Sequence, residues 1–300
     1  DNESGEPASA GRVTASAPNG GVRVYSFGRG DFGALLQPDV SNHAAEEGPV
    51  ALKDQWSVLQ VSTALFHTVA ITASGDIIGC GLNNEGQLRP DLPQARFFPR
   101  PFLLEPVLSH RVTQVSCGLY HTACVTALGA AISWGGNEFG QLGHTPEATR
   151  VARPRSIQVM GAGSDWSSTR KASRVECGDL FTLILTSKAE LLSCGVGECV
   201  GGDGTNRKQA ELVQSLAGFP TVWMACGNNH SVVIGAGGEA MAFGLNTHGQ
   251  LGVGPMAKGE GPSILLPRPV VGTFAKPLTT TMAGPVADSE QTSPPPSSTK

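Results

Sequence analysis

Three histidines, His67, His121 and His230, are the first residues in this chain whose type and spacing could do chemistry. Each stands eight positions before a glycine, at Gly75, Gly129 and Gly238. Three imidazoles can hold a zinc ion, and one can act as a general base. Gly28-Arg-Gly-Asp-Phe-Gly33 has the spacing of a dinucleotide fingerprint, and Gly81 to Gly86 and Gly135 to Gly140 have the glycine spacing of a phosphate loop. Cys194 and Cys199 could form half of a metal knuckle.

None of these sites is complete in the sequence. The phosphate loops are followed by Gln87-Leu88 and Gln141-Leu142, where Lys and Ser or Thr would have to meet phosphate and magnesium. Pro38 interrupts the helix that the dinucleotide fingerprint needs. Cys194 and Cys199 have no second pair at zinc-type spacing, and there is no Gly-x-Ser-x-Gly elbow. The sequence therefore predicts no catalytic residue, no cofactor and no metal.

An internal repeat accounts for the same residues. Copies start at His67, His121 and His230, and a degraded one starts at Phe181. In the three good copies the His is followed by Gly at +8, +14 and +19, the last being Gly86, Gly140 and Gly249. The degraded copy keeps this register with Ala189, Gly195 and Val200. Repeat distances of 54, 60 and 49 residues place all the length variation after the last glycine of each copy.

Within a copy, Thr122 to Thr126 and Ala130 to Trp134 are short apolar or β-branched runs around Leu128-Gly129, which predicts a hairpin. A strand ahead of it recurs as Val58 to Thr63, Val112 to Cys117, Arg174 to Cys177 and Val222 to Cys226. Proline-led runs at Pro101 to Leu104, Pro154 to Val159 and Pro267 to Val271 supply a fourth, edge strand. Four short strands per repeat predict an all-β propeller. Glycine every few residues opposes the helical solenoids of similar period. Around a propeller the three histidines occupy one position in separate blades, so each is expected to bond backbone in its own or the next blade. Cys117, Cys177 and Cys226 likewise share a position, expected to be an inert buried thiol.

The motif Gly-x-x-His-Thr, a hairpin, then Trp-Gly-x-Asn-x-x-Gly-Gln-Leu-Gly resembles the regulator of chromosome condensation repeat. Residues Gly118 to Gly143 match it almost in full, and the resemblance extends over Val24 to Val271. It implies a β-propeller of that type, which in the family has seven blades and is closed by pairing strands from the two chain ends. Here four whole repeats and two halves, Val24 to Leu36 and Pro267 to Val271, make about five blades: a small ring closes if the halves pair, and an incomplete ring remains if they do not. Residues 1–20 and the Pro/Ser-rich 273–300 are expected to be disordered tails around a repeat domain at 21–272.

Function is constrained mostly by exclusion. A net charge of −4 and a pI near 6.0 supply no basic field for nucleic acid, and no run reaches the roughly 20 apolar residues that span a bilayer. Seven scattered cysteines suit a reducing compartment, cytoplasm or nucleus. The long connection between the second and third copies is flanked by Arg150, Arg153 and Arg155 and by Arg170, Lys171 and Arg174, the candidate interaction loop. The expected function is a non-enzymatic protein-interaction scaffold. Alternatives implied by the resemblance are a guanine-nucleotide exchange factor for a Ran-like small GTPase and a regulatory propeller of a larger ubiquitin ligase or kinase.

Overall fold

The computed structural model describes residues 24–26, 34–36, 50–51, 56–92, 94–104, 111–144, 149–157 and 171–272. Both expected tails and Gly28 to Gly33 lie outside these residues.

Each repeat folds as a four-stranded antiparallel meander. The first blade comprises β3 (Val58–Thr63), β4 (His67–Thr72), β5 (Ile77–Leu82) and β6 (Phe97–Leu104). The second has β7 (Val112–Cys117), β8 (His121–Thr126), β9 (Ala131–Gly136) and β10 (Arg150–Ser156). The third has β11 (Ala172–Cys177), β12 (Phe181–Thr186), β13 (Leu191–Gly195) and β14 (Arg207–Leu212). The fourth has β15 (Thr221–Cys226), β16 (His230–Gly235), β17 (Ala240–Leu245) and β18 (Ser263–Pro269). A pair of two-residue strands, β1 (Tyr25–Ser26) and β2 (Val50–Ala51), precedes them.

The first strands of successive blades, β3, β7, β11 and β15, are neighbours and form the inner wall of an arc. Among the described residues the sheets do not close into a ring. The proline-led strand at the C-terminal end, predicted as a half unit, is the outer strand β18 of the fourth blade. One half unit therefore remains, at the N-terminal end. Ala34 and Leu36 lie against the first blade, where the Thr68 hydroxyl donates to the Ala34 carbonyl at 2.5 Å and Leu36 packs with Val58, Ala70 and Ile78.

Burial explains why β4, β8 and β12 read as unbroken apolar or threonine runs: every residue in them is buried. One face of each packs on the preceding blade and the other on the next, so alternation with polar residues is absent. Val69, Ile71 and Leu88 of the first blade meet Val115, Cys124 and Trp134 of the second, and Ala123 and Val125 of the second meet Val175, Ile184 and Leu192 of the third. The equivalent face of the fourth blade holds His230, Val232 and Ile234, all only half-buried.

One glycine near the end of each third strand is a steric requirement. Gly81, Gly135, Gly195 and Gly244 have φ between 104° and 114°, and a Cβ there would overlap the carbonyl oxygen of Phe66, Tyr120, Leu180 or Asn229. This is why the degraded third copy keeps Gly195. Its hairpin turn is less orthodox: Ala189 adopts φ 61°, where Gly75, Gly129 and Gly238 adopt 85°, 83° and 88°.

The outer strands share one irregularity. Each ladder shifts register after Gly79, Ser193, Ala242 or Val151, and the residue before the resumed pairing is Pro101 in β6, Pro154 in β10 and Pro267 in β18. In β14 that residue is Ala210, which is fully buried. Proline is tolerated there because a bulge needs no ladder donor.

Candidate functional site

The histidines are used in holding blades together. His67 Nε2 lies 3.1 Å from Thr122 Oγ1 of the next blade, and Thr122 Oγ1 donates to the Gln87 carbonyl at 2.7 Å. His121 repeats this with Thr182 at 2.9 Å, and Thr182 donates to the Gln141 carbonyl at 2.8 Å. Each threonine has spent its one proton on a carbonyl, so it accepts from the histidine, which fixes the Nε2–H tautomer. Burial holds both imidazoles neutral, with pKa values lowered to about 3. The expected backbone partner is thus reached through a hydroxyl relay. Among the described residues no group of three or more His, Cys, Asp or Glu gathers as metal ligands.

The inner strands are cross-linked in the same repeating way. Gln60 donates to the Val115 carbonyl at 3.0 Å and accepts from its N–H at 3.2 Å, and Gln114 does the same to Val175 at 2.7 and 2.8 Å. Ser62 and Ser116 accept the N–H groups of Cys117 and Cys177. All seven cysteines are free, and burial pushes the Cys117 thiol up to about 12, so it is an unreactive thiol in this fold.

The third blade breaks both patterns. Phe181 replaces the histidine, and the hydroxyl of Ser231, which stands in the fourth blade where Thr122 and Thr182 stand in theirs, is buried without a hydrogen-bond partner among the described residues. Arg174 stands where Gln60 and Gln114 stand; its guanidinium lies 3.7 Å from the centre of the Trp223 ring and pairs with Glu176 at 2.7 Å. Trp223 and Val222 are 38% and 52% exposed, so this stack lies at the surface of the inner wall.

The six basic candidates do not form one cluster. Arg150, Arg153 and Arg155 are on β10, the outermost strand of the second blade, where Arg153 and Arg155 are exposed. Lys171 precedes β11, the innermost strand of the third, and packs against the Gly129 turn. Arg174 is on β11 itself, in the stack just described. Arg170 lies outside the described residues. Antiparallel strands place the β10 end at Ser156 and the β11 start at Ala172 on the same face of the arc, at its outer and inner margins. Sequence reasoning missed Trp223 as a site residue, because its value depends on Arg174 reaching it from another blade.

Known proteins resemble the chain along the repeat. The profile of the regulator of chromosome condensation (RCC1) repeat matches at residues 58–87, 112–141 and 224–250, and a second profile of the same repeat at 74–125 and 129–185. The human E3 ubiquitin-protein ligase HERC2 is 28% identical over 249 residues, which are 81% of this chain and 5% of that protein. The ultraviolet-B receptor UVR8 of Arabidopsis thaliana is 29% identical over 252 residues, 83% of this chain and 55% of that receptor. The chain thus spans little more than half, or far less, of these relatives. The fold is that of Prp20p from Saccharomyces cerevisiae, with a TM-score of 0.66 at 19% identity over 84% of this chain and 60% of that one.

Proposed function

The chain belongs to the regulator of chromosome condensation repeat family, and from that premise we propose that it is a non-enzymatic protein-interaction propeller serving a larger protein in the cytoplasm or nucleus. One observation carries this reading. The histidines and glutamines that recur through the first two blades are spent on bonds to the next blade, which leaves the exposed loops and margins to recognise partners. The ubiquitin-ligase relatives, of which this chain matches a small part, support a regulatory propeller. The proposed contact surface comprises the face that carries Arg155 and Lys171, together with Arg150, Arg153, Arg170 and Arg174.

The second reading is nucleotide exchange on a Ran-like GTPase. It rests on the likeness to Prp20p, whose structure was described with its binding to Gsp1p and histones. One pair of measurements separates the two. Micromolar protein is added to Ran loaded with fluorescent nucleotide; faster release establishes the exchange reading. Without acceleration, the scaffold reading expects a reproducible set of co-purifying proteins that is lost in Arg153→Glu/Arg155→Glu/Lys171→Glu. An unchanged set overturns the assignment of the surface.

A further inference from the structure

At the outer rim, between the third and fourth blades, lies an open groove of about 730 Å3. This volume is within the range of roughly 300–1,000 Å3 typical of ligand sites. One wall is the loop Gly201 to Thr205 with Arg207 and Glu211, and the other is β18 with the segment Met256 to Gly261 that leads to it.

The groove wall combines an apolar strip with an excess of carboxylates. Ile264, Leu265 and Leu266 line it consecutively; Ile264 is buried, whereas Leu266 is 56% exposed. Arg207 belongs to the blade interior: its Nη1 donates to Ser193 Oγ at 2.6 Å and to the Val200 carbonyl at 3.1 Å, and its Nε is 3.5 Å from Glu211. The other lining cation, Arg268, is held by Glu260. Asp203 is occupied only by the Thr205 N–H and hydroxyl, and Glu198, just outside, accepts from Ser263 at 3.1 Å. Among the described residues neither Asp203 nor Glu198 has an ion-pair partner.

We propose that this groove docks an extended segment of a partner protein in which apolar residues alternate with lysine or arginine. Alternation at the strand period turns the apolar side chains onto Leu265 and Leu266 and the cations toward Asp203 and Glu198. The site is separate from the basic surface proposed above and stands whether or not that surface binds.

Gly261 provides the test. Gly261 lines the groove and a Cβ there meets nothing within 4 Å, so Gly261→Trp is expected to occupy groove space, and an unchanged melting temperature checks that packing is kept. The probes are two fluorescein-labelled heptapeptides, one alternating Val and Lys and one alternating Val and Glu, titrated into the full chain by fluorescence polarisation. The Val-Lys peptide is expected to bind and to weaken at least tenfold in Gly261→Trp at unchanged melting temperature. It should tighten severalfold in Arg268→Glu, and the Val-Glu peptide should not bind. No binding of the Val-Lys peptide, equal binding to Gly261→Trp, or equal binding of the Val-Glu peptide would each overturn the proposal. The co-purification pattern of the Arg153/Arg155/Lys171 variant is unaffected by any of these results.

Discussion

Between the second and third blades, His121, Gln114 and Ser116 each reach across to a hydroxyl or a backbone group of the neighbour. Between the third and fourth, the same three positions hold Phe181, Arg174 and Glu176. The first junction is sewn by buried directional bonds. The second relies on the apolar cluster of Phe181, Leu183, Met224, Val233 and Phe243, with a partly buried Arg174 on Trp223 at its edge. Two joints of one arc are therefore sensitive to different perturbations: the sewn one to loss of a partner, the apolar one to loss of volume.

The largest separation between them is expected from pH. His67 and His121 have folded pKa values lowered from 6.5 to about 3, so between these values the unfolded chain binds protons that the folded chain refuses. Their contribution is complete above pH 6.5 and is lost as pH falls toward 3, by about 2 kcal/mol for each histidine between pH 7 and 5. Urea titrations at both pH values measure this. Burial also lowers His144, to about 4, and His230, so His121→Phe, which copies the third blade, should remove no more than about a third of the slope.

Hydroxyl truncation comes next. Thr182→Ala leaves His121 Nε2–H without its acceptor and the Gln141 carbonyl with only the Cys194 thiol as donor, and should cost about 2 kcal/mol. Ser231→Ala removes a hydroxyl at the equivalent position that has no partner among the described residues, and should lie within about 0.5 kcal/mol of neutral. Equal costs in denaturant would break the comparison.

Gln114→Ala strands the N–H and carbonyl of Val175 and should cost about 2 kcal/mol, against less than about 1 kcal/mol for Arg174→Ala at the partly exposed junction. The smallest effect is expected at the strained turn of the third blade. Ala189→Gly relieves a left-handed alanine and should stabilise by about 1 kcal/mol or less, seen as a rise in melting temperature.

The blades were legible in the sequence because their construction is local. Gly81, Gly135, Gly195 and Gly244 answer to a carbonyl that lies close in every copy, so their spacing survives even where the histidine does not. The expectation that the histidines are structural also followed from the repeat. What they bond did not, because Thr122 and Thr182 lie 55 and 61 residues away. The basic candidates show the opposite limit. Charges that flank one connection in sequence are divided between the outermost strand of one blade and the innermost of the next, a separation set by the meander. The rim groove had no sequence signal, since its walls come from two copies.

The prolines of the outer strands have a consequence for behaviour in a crowded solution. An arc whose sheets end at its rim offers sites where foreign chains could add and ordered aggregates could start. Pro101, Pro154 and Pro267 leave three of the four rims without a donor at their bulge, and at Ala210 burial does the same work for the fourth. The rim thus acts as insulation, with growth by strand addition interrupted at the bulge of every outer strand.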